Sequence, residues 1–463
     1  MRATRTIIEP ATDKHLATVA ECDHQDVDLA ASAALTAVHD KVWSGQTPGE
    51  RAGVLLKIAQ LIRVNASHLA EIEARNAGKP SGDAAWEVGA AARVFEYFAG
   101  AIALHTGETI ANRNDGMGFT FREPIGVCGL IVPWNFPLLI MTWKLAPCLA
   151  AGNCALVKPA PATPLSALLL AELAVEAGLP LGVLTVITGG DDAGKAIARH
   201  KDVRKVSFTG STAAGKSVMS TAAETLKRVT LELGGKSPSI VFADANIHAA
   251  LDSGLSFLGN AGQDCCARSR YLIEASIYET FRDAFVKRVE GTGVGVLDTP
   301  GADMGCLISR DHRQHVHGFV ERAIAAGATL LTGGVMPPSH EVGAFYPPTV
   351  LETSDPNSEI FQEEVFGPVT VLIPFTDETE AIRLANATRF GLSGSIWTQD
   401  LSRALRVTRR VDSGVLSVNC SNSVHTELPF GGWKESGIGR DLGKSALDAY
   451  TEIKTVFIHI ERE

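Results

Sequence analysis

The sequence predicts an α/β protein of two or three domains, on three observations. First, apolar runs rich in β-branched residues alternate with helical patterns from about residue 127 onward, the order that builds parallel sheets flanked by helices. Second, the chain has 463 residues, about three times the ~150-residue prior for one domain and long enough for more than one core. Third, hydrophobic residues make up 45% and charged residues 20%. That is the mixture of a globular protein, not of a disordered, collagen-like or coiled-coil chain.

The elements follow in order. Residues 30–85 read as two amphipathic helices with Pro- and Gly-containing breaks between and after them. Then come a β-branched run at 127–132, a helix at 138–151, a short strand at 154–157 and a helix at 165–177 stopped by Gly178 and Pro180. Residues 183–188, 205–208 and 239–242 read as strands, with helices at 193–200 and 215–228 between them. A second series carries helices at 277–290, 314–326 and 379–387 and a strand at 369–374. The Pro/Gly-rich stretch 333–348 reads as a loop over this second unit, while the first unit would bind a nucleotide at the carboxyl ends of its strands.

Composition narrows the function. The net charge of −10, with no long basic run, argues against a nucleic-acid or anionic-membrane partner. The N-terminus has two arginines but no apolar stretch after them, and the apolar run 125–140 is broken by Pro133, Asn135 and Pro137. Neither a secretory signal nor a membrane span is expected, which places the protein in the cytoplasm. Eight cysteines stand at 22, 128, 148, 154, 265, 266, 306 and 420, with no CxxC and no zinc spacing. No metal is expected; His312, His315 and His317 read as a solvated helix face.

One motif points elsewhere. Gly210-Ser-Thr-Ala-Ala-Gly-Lys216-Ser217 satisfies the phosphate-loop pattern GxxxxGK[ST], and the run 239–244 mimics the apolar strand ending in a magnesium-binding Asp. An NTPase is therefore a second reading. The physics of a glycine-rich turn before a helix is general, since free N–H groups at a helix N-terminus attract any phosphate.

Three segments far apart in sequence favour a different chemistry: Val132-Pro-Trp-Asn-Phe-Pro137, Leu231-Glu-Leu-Gly-Gly-Lys-Ser-Pro238 and Gly262-Gln-Asp-Cys-Cys-Ala267. With Lys158-Pro-Ala160, Phe208-Thr-Gly-Ser211, Glu363-Glu-Val-Phe-Gly-Pro368 and Pro429-Phe-Gly-Gly432, the chain resembles the aldehyde dehydrogenase superfamily over nearly its whole length. The resemblance implies a Rossmann-like dinucleotide-binding domain (residues 1–104 and 125–234), an α/β catalytic domain (235–436) and a small β oligomerisation element (105–124 and 450–463). That last element would combine a hairpin around 106–121 with a strand at 454–459, and a homodimer or homotetramer would follow. A non-catalytic family member is the third reading, against which the intact catalytic residues argue.

The chemistry explains the residue types. A bare carbonyl cannot give up hydride, so a thiol adds first to make a thiohemiacetal. The resemblance assigns that nucleophile to Cys265, with Cys266 a packing thiol. An ordinary thiol pKa near 8.5 must be lowered, or a base supplied. Glu232 is then the base that also activates water against the thioester, and Asn135, with the Cys265 N–H, the oxyanion donor. The cofactor, NAD with NADP possible, would be bordered by Val132, Pro133, Trp134, Thr209, Gly210, Ser211, Gly215 and Leu233. Lys158 would reach the adenosine ribose, and Glu364 the nicotinamide ribose beside Phe366.

Departures carry the specificity. Pro161 replaces a ribose-binding Glu frequent in the family, which opens the NAD/NADP preference. Asp441 replaces a Glu often paired with the lysine here numbered 144. Asp264, directly before the nucleophile, opposes thiolate formation and suggests a compensating use, attraction of a substrate ammonium. The Gly-Gln-Asp-Cys run resembles bacterial γ-aminobutyraldehyde dehydrogenases, which oxidise ω-aminoaldehydes. Glu427 would add charge at the mouth, and Phe136, Trp143, Val424 and Phe430 would form an apolar wall that also suits uncharged aliphatic or aromatic aldehydes.

Overall fold

The computed structural model describes residues 3–110, 116–297, 299–336 and 342–460. Two sheets dominate. The first has six strands in the order Gly437–Ile438, Arg228–Glu232, Val203–Thr209, Val127–Ile131, Cys154–Lys158 and Leu184–Val186. It is parallel except at the Gly437–Ile438 edge. The second has seven, in the order Thr329–Thr332, Thr349–Glu352, Val369–Phe375, Arg270–Glu274, Pro238–Val241, Ser393–Trp397 and Val415–Val418. Again only one edge pair is antiparallel. Each sheet sits in its own large apolar core, as the alternation of strands and helices predicts.

The helix Pro137–Ala150 is buried along its whole length between the first sheet and the helix Ser81–Ala101. Its N-terminus is the continuation of the central strand Val127–Ile131 through the Val132–Phe136 turn, so that turn is fixed from both ends. Cys128, Cys148 and Cys154 are small hydrophobes of this core, as expected of buried thiols.

The N-terminal region differs from expectation. Four helices, not two, occupy or overlap residues 30–85: His24–His39, Pro48–Val64, Ala66–Ala77 and Ser81–Ala101. Asp23 and Thr47 form capping boxes at the first two starts. Asn65, outside helical geometry at ψ 17°, divides the second from the third without any Pro or Gly. The helix expected at 215–228 instead spans Thr212–Ala223. Leu226 at φ +53° breaks the chain there, and Arg228–Glu232 is a strand that periodicity did not reveal. That strand ends on Glu232.

A third, antiparallel sheet joins Thr451–His459, Gly116–Pro124 and Thr109–Ile110. The tip of the expected hairpin, residues 111–115, and the last three residues lie outside the described part. Among the described residues no helix is long and apolar enough to cross a membrane.

Candidate active site

Two clefts run along the carboxyl ends of the first sheet and share Pro133, Trp134, Thr209, Gly210 and Ser211. One is lined also by Val132, Lys158, Pro161, Asp191 and Lys195. The other reaches Glu232, Leu233, Gly234, Glu364, Phe366 and Cys265. Together they make one elongated groove along the switch of an open parallel sheet, the position such sheets give to dinucleotides. Ser211 caps the helix Thr212–Ala223, accepting from Ala214 N–H at 3.3 Å, and leaves that helix N-terminus facing the groove. The Thr209 hydroxyl is buried without a partner. An elongated groove with a helix N-terminus midway and an orphaned hydroxyl fits a pyrophosphate-containing coenzyme.

Glycines in the groove are there for space. A Cβ on Gly215 would meet Leu233 Cδ2 at 2.4 Å, so Gly215 lies behind Leu233 and lets the helix close on the sheet. A Cβ on Gly234 would meet Glu364 Oε2 at 2.3 Å. Glu364 accepts from Gly235 N–H at 2.8 Å, and burial pushes its carboxyl up to about 7. Burial likewise brings the Lys158 ammonium down to about 8, against the opposing pull of Asp191. Phe366, at φ +58°, packs edge-on against Trp134 at 5.3 Å.

The phosphate-loop reading is corrected here. Lys216 turns outward to Glu435 at 3.0 Å, and Asp244 accepts from Thr398, just past the strand Ser393–Trp397 of the other sheet, and from Arg403 on the helix Leu401–Thr408. A phosphate-loop enzyme needs both residues at one site.

Cys265 stands where this groove meets a second opening, lined by Asp83, Trp86, Glu87, Phe136, Trp143, Asp264, Val424 and Phe430. Trp143 and Phe430 rings lie 5.1 Å apart. All five residues expected of the substrate pocket meet here. Glu427 does not line it; Asp83 and Glu87, from the helix Ser81–Ala101, supply the carboxylates instead. Buried Lys79 is bonded to Glu87 and lies 4.5 Å over the Phe136 ring. Burial raises Asp83, Asp264 and, to about 8, Glu87, with the Lys79 charge opposing. Asp264 also accepts from Cys266 N–H at 2.8 Å, so a backbone bond and a place in the wall coexist.

The Cys265 thiol is held well above its usual range, by the Cys266 thiol first, then burial, Asp264 and Glu364. Its surroundings do not pre-form the thiolate, so a base must. Glu232 lines the same groove, with both carboxylate oxygens buried and unpartnered. Burial and the Asp441 carboxylate raise it well above the carboxylate range, against Lys144 and Arg440. Lys144 and Asp441 pair at 2.7 Å out of contact with solvent. The Asn135 amide donates one hydrogen to the Gln263 carbonyl at 2.8 Å, which fixes its orientation and leaves the other hydrogen. Asn260 in turn donates to the Asn135 and Gln263 carbonyls at 2.7 and 3.2 Å.

Two histidines are not the solvated face expected. His312 bonds the Phe366 carbonyl at 2.7 Å, packs edge-on against Trp134 and, with His315, lines the groove. Their spacing in sequence gave no sign of it, because the Phe366 turn comes from another segment.

The sequence model of the aldehyde dehydrogenase family matches residues 2–456. The chain is 41% identical to the betaine aldehyde dehydrogenase of Bacillus subtilis (strain 168), covering 98% of this chain and 94% of the relative. It is 41% identical to the NADP/NAD-dependent aldehyde dehydrogenase PuuC of Escherichia coli (strain K12), covering 98% and 92%. The solved NAD+ complex of an aldehyde dehydrogenase from Bacillus cereus superposes with a TM-score of 0.97 at 40% identity, covering 99% of this chain and 94% of that one.

Proposed function

The chain belongs to the aldehyde dehydrogenase family and is an NAD(P)-dependent aldehyde dehydrogenase; on that premise we propose that its preferred substrate is a cationic ω-aminoaldehyde such as 4-aminobutyraldehyde. One observation carries the substrate reading. Asp83, Glu87 and Asp264 line an opening otherwise walled by Trp86, Phe136, Trp143 and Phe430. Aromatic faces and carboxylates together attract an ammonium group, and the single Lys79 charge, bonded to Glu87, stands against three carboxyl groups. The apolar walls also admit uncharged aliphatic or aromatic aldehydes, as weaker substrates.

In the proposed reaction Cys265 adds to the aldehyde carbon, and its thiol proton passes to Glu232. The second Asn135 amide hydrogen and the Cys265 N–H hold the resulting oxyanion, a donor arrangement worth roughly 2.7–4 kcal/mol per donor elsewhere. A nicotinamide coenzyme in the groove would supply the hydride acceptor as the oxyanion collapses. Cys265 is then a thioester. Glu232 first releases the thiol proton to solvent and then takes a proton from water; the hydroxide attacks the acyl carbon, and the Cys265 sulfur departs as thiolate and is reprotonated by Glu232 as the acid is released. Glu232 suits both roles because its carboxylate oxygens have no competing partner. Lys158 and Glu364 would hold the two riboses, and the Asp191 carboxylate on the Lys158 side would disfavour a 2′-phosphate against the pull of Lys158 and Lys195, so that NAD is the first coenzyme and NADP the second.

We assign coenzyme binding to residues 1–104 and 125–234, and the nucleophile to a catalytic unit of 235–436. The element of 105–124 and 450–463 pairs subunits in a homodimer or homotetramer. Met117, Phe121 and Ile458 are exposed on one face of its strands and Ile453 and Phe457 on the other, apolar side chains that a partner would cover. A sedimentation mass of one 49.0 kDa chain would remove that assignment. Eight free thiols suit the reducing cytoplasm.

The substrate test compares kcat/KM for 4-aminobutyraldehyde and butyraldehyde in wild type, Asp83→Asn and Asp264→Asn. Preference for the amino substrate is expected to fall about tenfold for each lost charge, the value of ~1.4 kcal/mol. Equal turnover of the two aldehydes by wild type and both variants would sink the reading.

A further inference from the structure

Beside the nucleophile lies a donor set that the aldehyde chemistry does not use in full. One carboxylate oxygen of Asp264 and the sulfurs of Cys265 and Cys266 all lie within 4.8 Å of one another. Among the described residues this is the one group of three Asp, Glu, His or Cys donors so close together. Consecutive side chains diverge in a strand or helix. Here the backbone turns instead, with Ala267 N–H bonded to the Asp264 carbonyl at 3.0 Å and Cys266 N–H to the Asp264 carboxylate at 2.8 Å. The turn brings both thiols to one side. It is anchored from behind by buried Arg268, which donates to the Cys266 carbonyl, to Ser395 Oγ at 2.7 Å and to Ser423 Oγ. Both cysteines are free, and half-buried Cys265 opens on both clefts, so an ion has a route in.

We propose that Asp264, Cys265 and Cys266 form a binding site for one thiophilic divalent cation of the zinc and cadmium class, and that its occupancy silences the enzyme. Thiolates select such ions, and two sulfurs with one carboxylate leave a fourth tetrahedral position for water. Bond lengths of about 2.3 Å to sulfur and 2.0–2.2 Å to oxygen put tetrahedral ligands roughly 3.4–3.8 Å apart. The observed spread closes to that by side-chain rotation. On binding, each thiol gives its proton to solvent and each sulfur lone pair goes to the metal, with no change of oxidation state. The Cys265 sulfur is then unavailable to a carbonyl. The inference goes beyond the reaction proposed above, and its primary readout needs no turnover.

The experiment titrates the full-length protein with cadmium in a Cys420→Ser background, since Cys420 is exposed. Binding is followed by equilibrium dialysis and by the ultraviolet thiolate-to-cadmium charge-transfer band. One ion per chain is expected, with aldehyde oxidation lost in proportion and restored by EDTA, and with zinc displacing cadmium. Cys266→Ala is expected to lose about half of the band and to weaken binding by at least the roughly tenfold that losing even an outer-sphere partner produces. Asp264→Asn is expected to weaken binding while keeping the full band per bound ion, each variant being compared with its own metal-free rate. Binding as tight in Cys266→Ala as in its parent, or no stoichiometric cadmium in the parent, would overturn the proposal.

Discussion

The two sides of Cys265 are built on different principles. The coenzyme groove is made of backbone at the carboxyl ends of neighbouring strands: the Val132–Phe136 turn, the Gly210–Ser211 turn and the Gly234–Gly235 pair. A Cβ at 215 or 234 would displace the Leu233 or Glu364 side chain from its present place. The opposite opening is made of side chains from four separate segments, near residues 83–87, 136–143, 259–266 and 424–430. Backbone geometry tolerates few sequences, whereas a side-chain wall can be rebuilt one residue at a time. The groove therefore speaks to reaction class and the opening to substrate.

The largest effect expected lies where the two sides meet. Glu232→Gln keeps the shape but cannot accept a proton, so steady-state turnover should fall by roughly the 10²–10⁴ that a general base supplies. The fall should be the same for 4-aminobutyraldehyde and butyraldehyde. If Glu232 acts chiefly on water, rapid mixing should still show a burst of NADH of one equivalent per site. Asn135→Ala, in the same experiment, should lose about 10²–10³ with no burst, because its amide acts before hydride leaves. A Glu232→Gln effect that depended on substrate charge would break the division between the two sides.

The same contrast explains what was legible. Asn135, Glu232, Cys265 and the groove residues lie in short motifs whose spacing reflects one turn each, and their meeting follows from parallel strand order. Glu232 was legible as a residue even though its strand, Arg228–Glu232, was not, since Leu226 at positive φ ends the preceding helix with no Gly to mark it. Asp83, Trp86 and Glu87 sit on a helix whose sequence looks like an ordinary amphipathic one. Only the packing of that helix against Pro137–Ala150 brings them to the opening, and no local pattern encodes that contact. His312 and His315 were hidden for the same reason. Lys216 was misleading because a loop motif does not say which way its lysine points.

The smallest effect expected is also the sharpest on the substrate side, and it is a pH dependence. Asp83, Asp264 and Glu87 are all raised by burial, Glu87 to about 8. A carboxyl raised in this way is neutral below its shifted pKa and attracts no ammonium there. Attraction therefore grows as pH rises through the range above the ordinary carboxylate values, up to about 8. Ionisation of Cys265 and Glu232 acts on every aldehyde alike. Taking the ratio of kcat/KM for 4-aminobutyraldehyde to that for butyraldehyde cancels it. The ratio should climb several-fold between pH 6 and pH 8, the range over which Glu87 begins to ionise. A ratio flat across that range would mean that the carboxylates serve the protein's own packing and that the opening selects by shape alone.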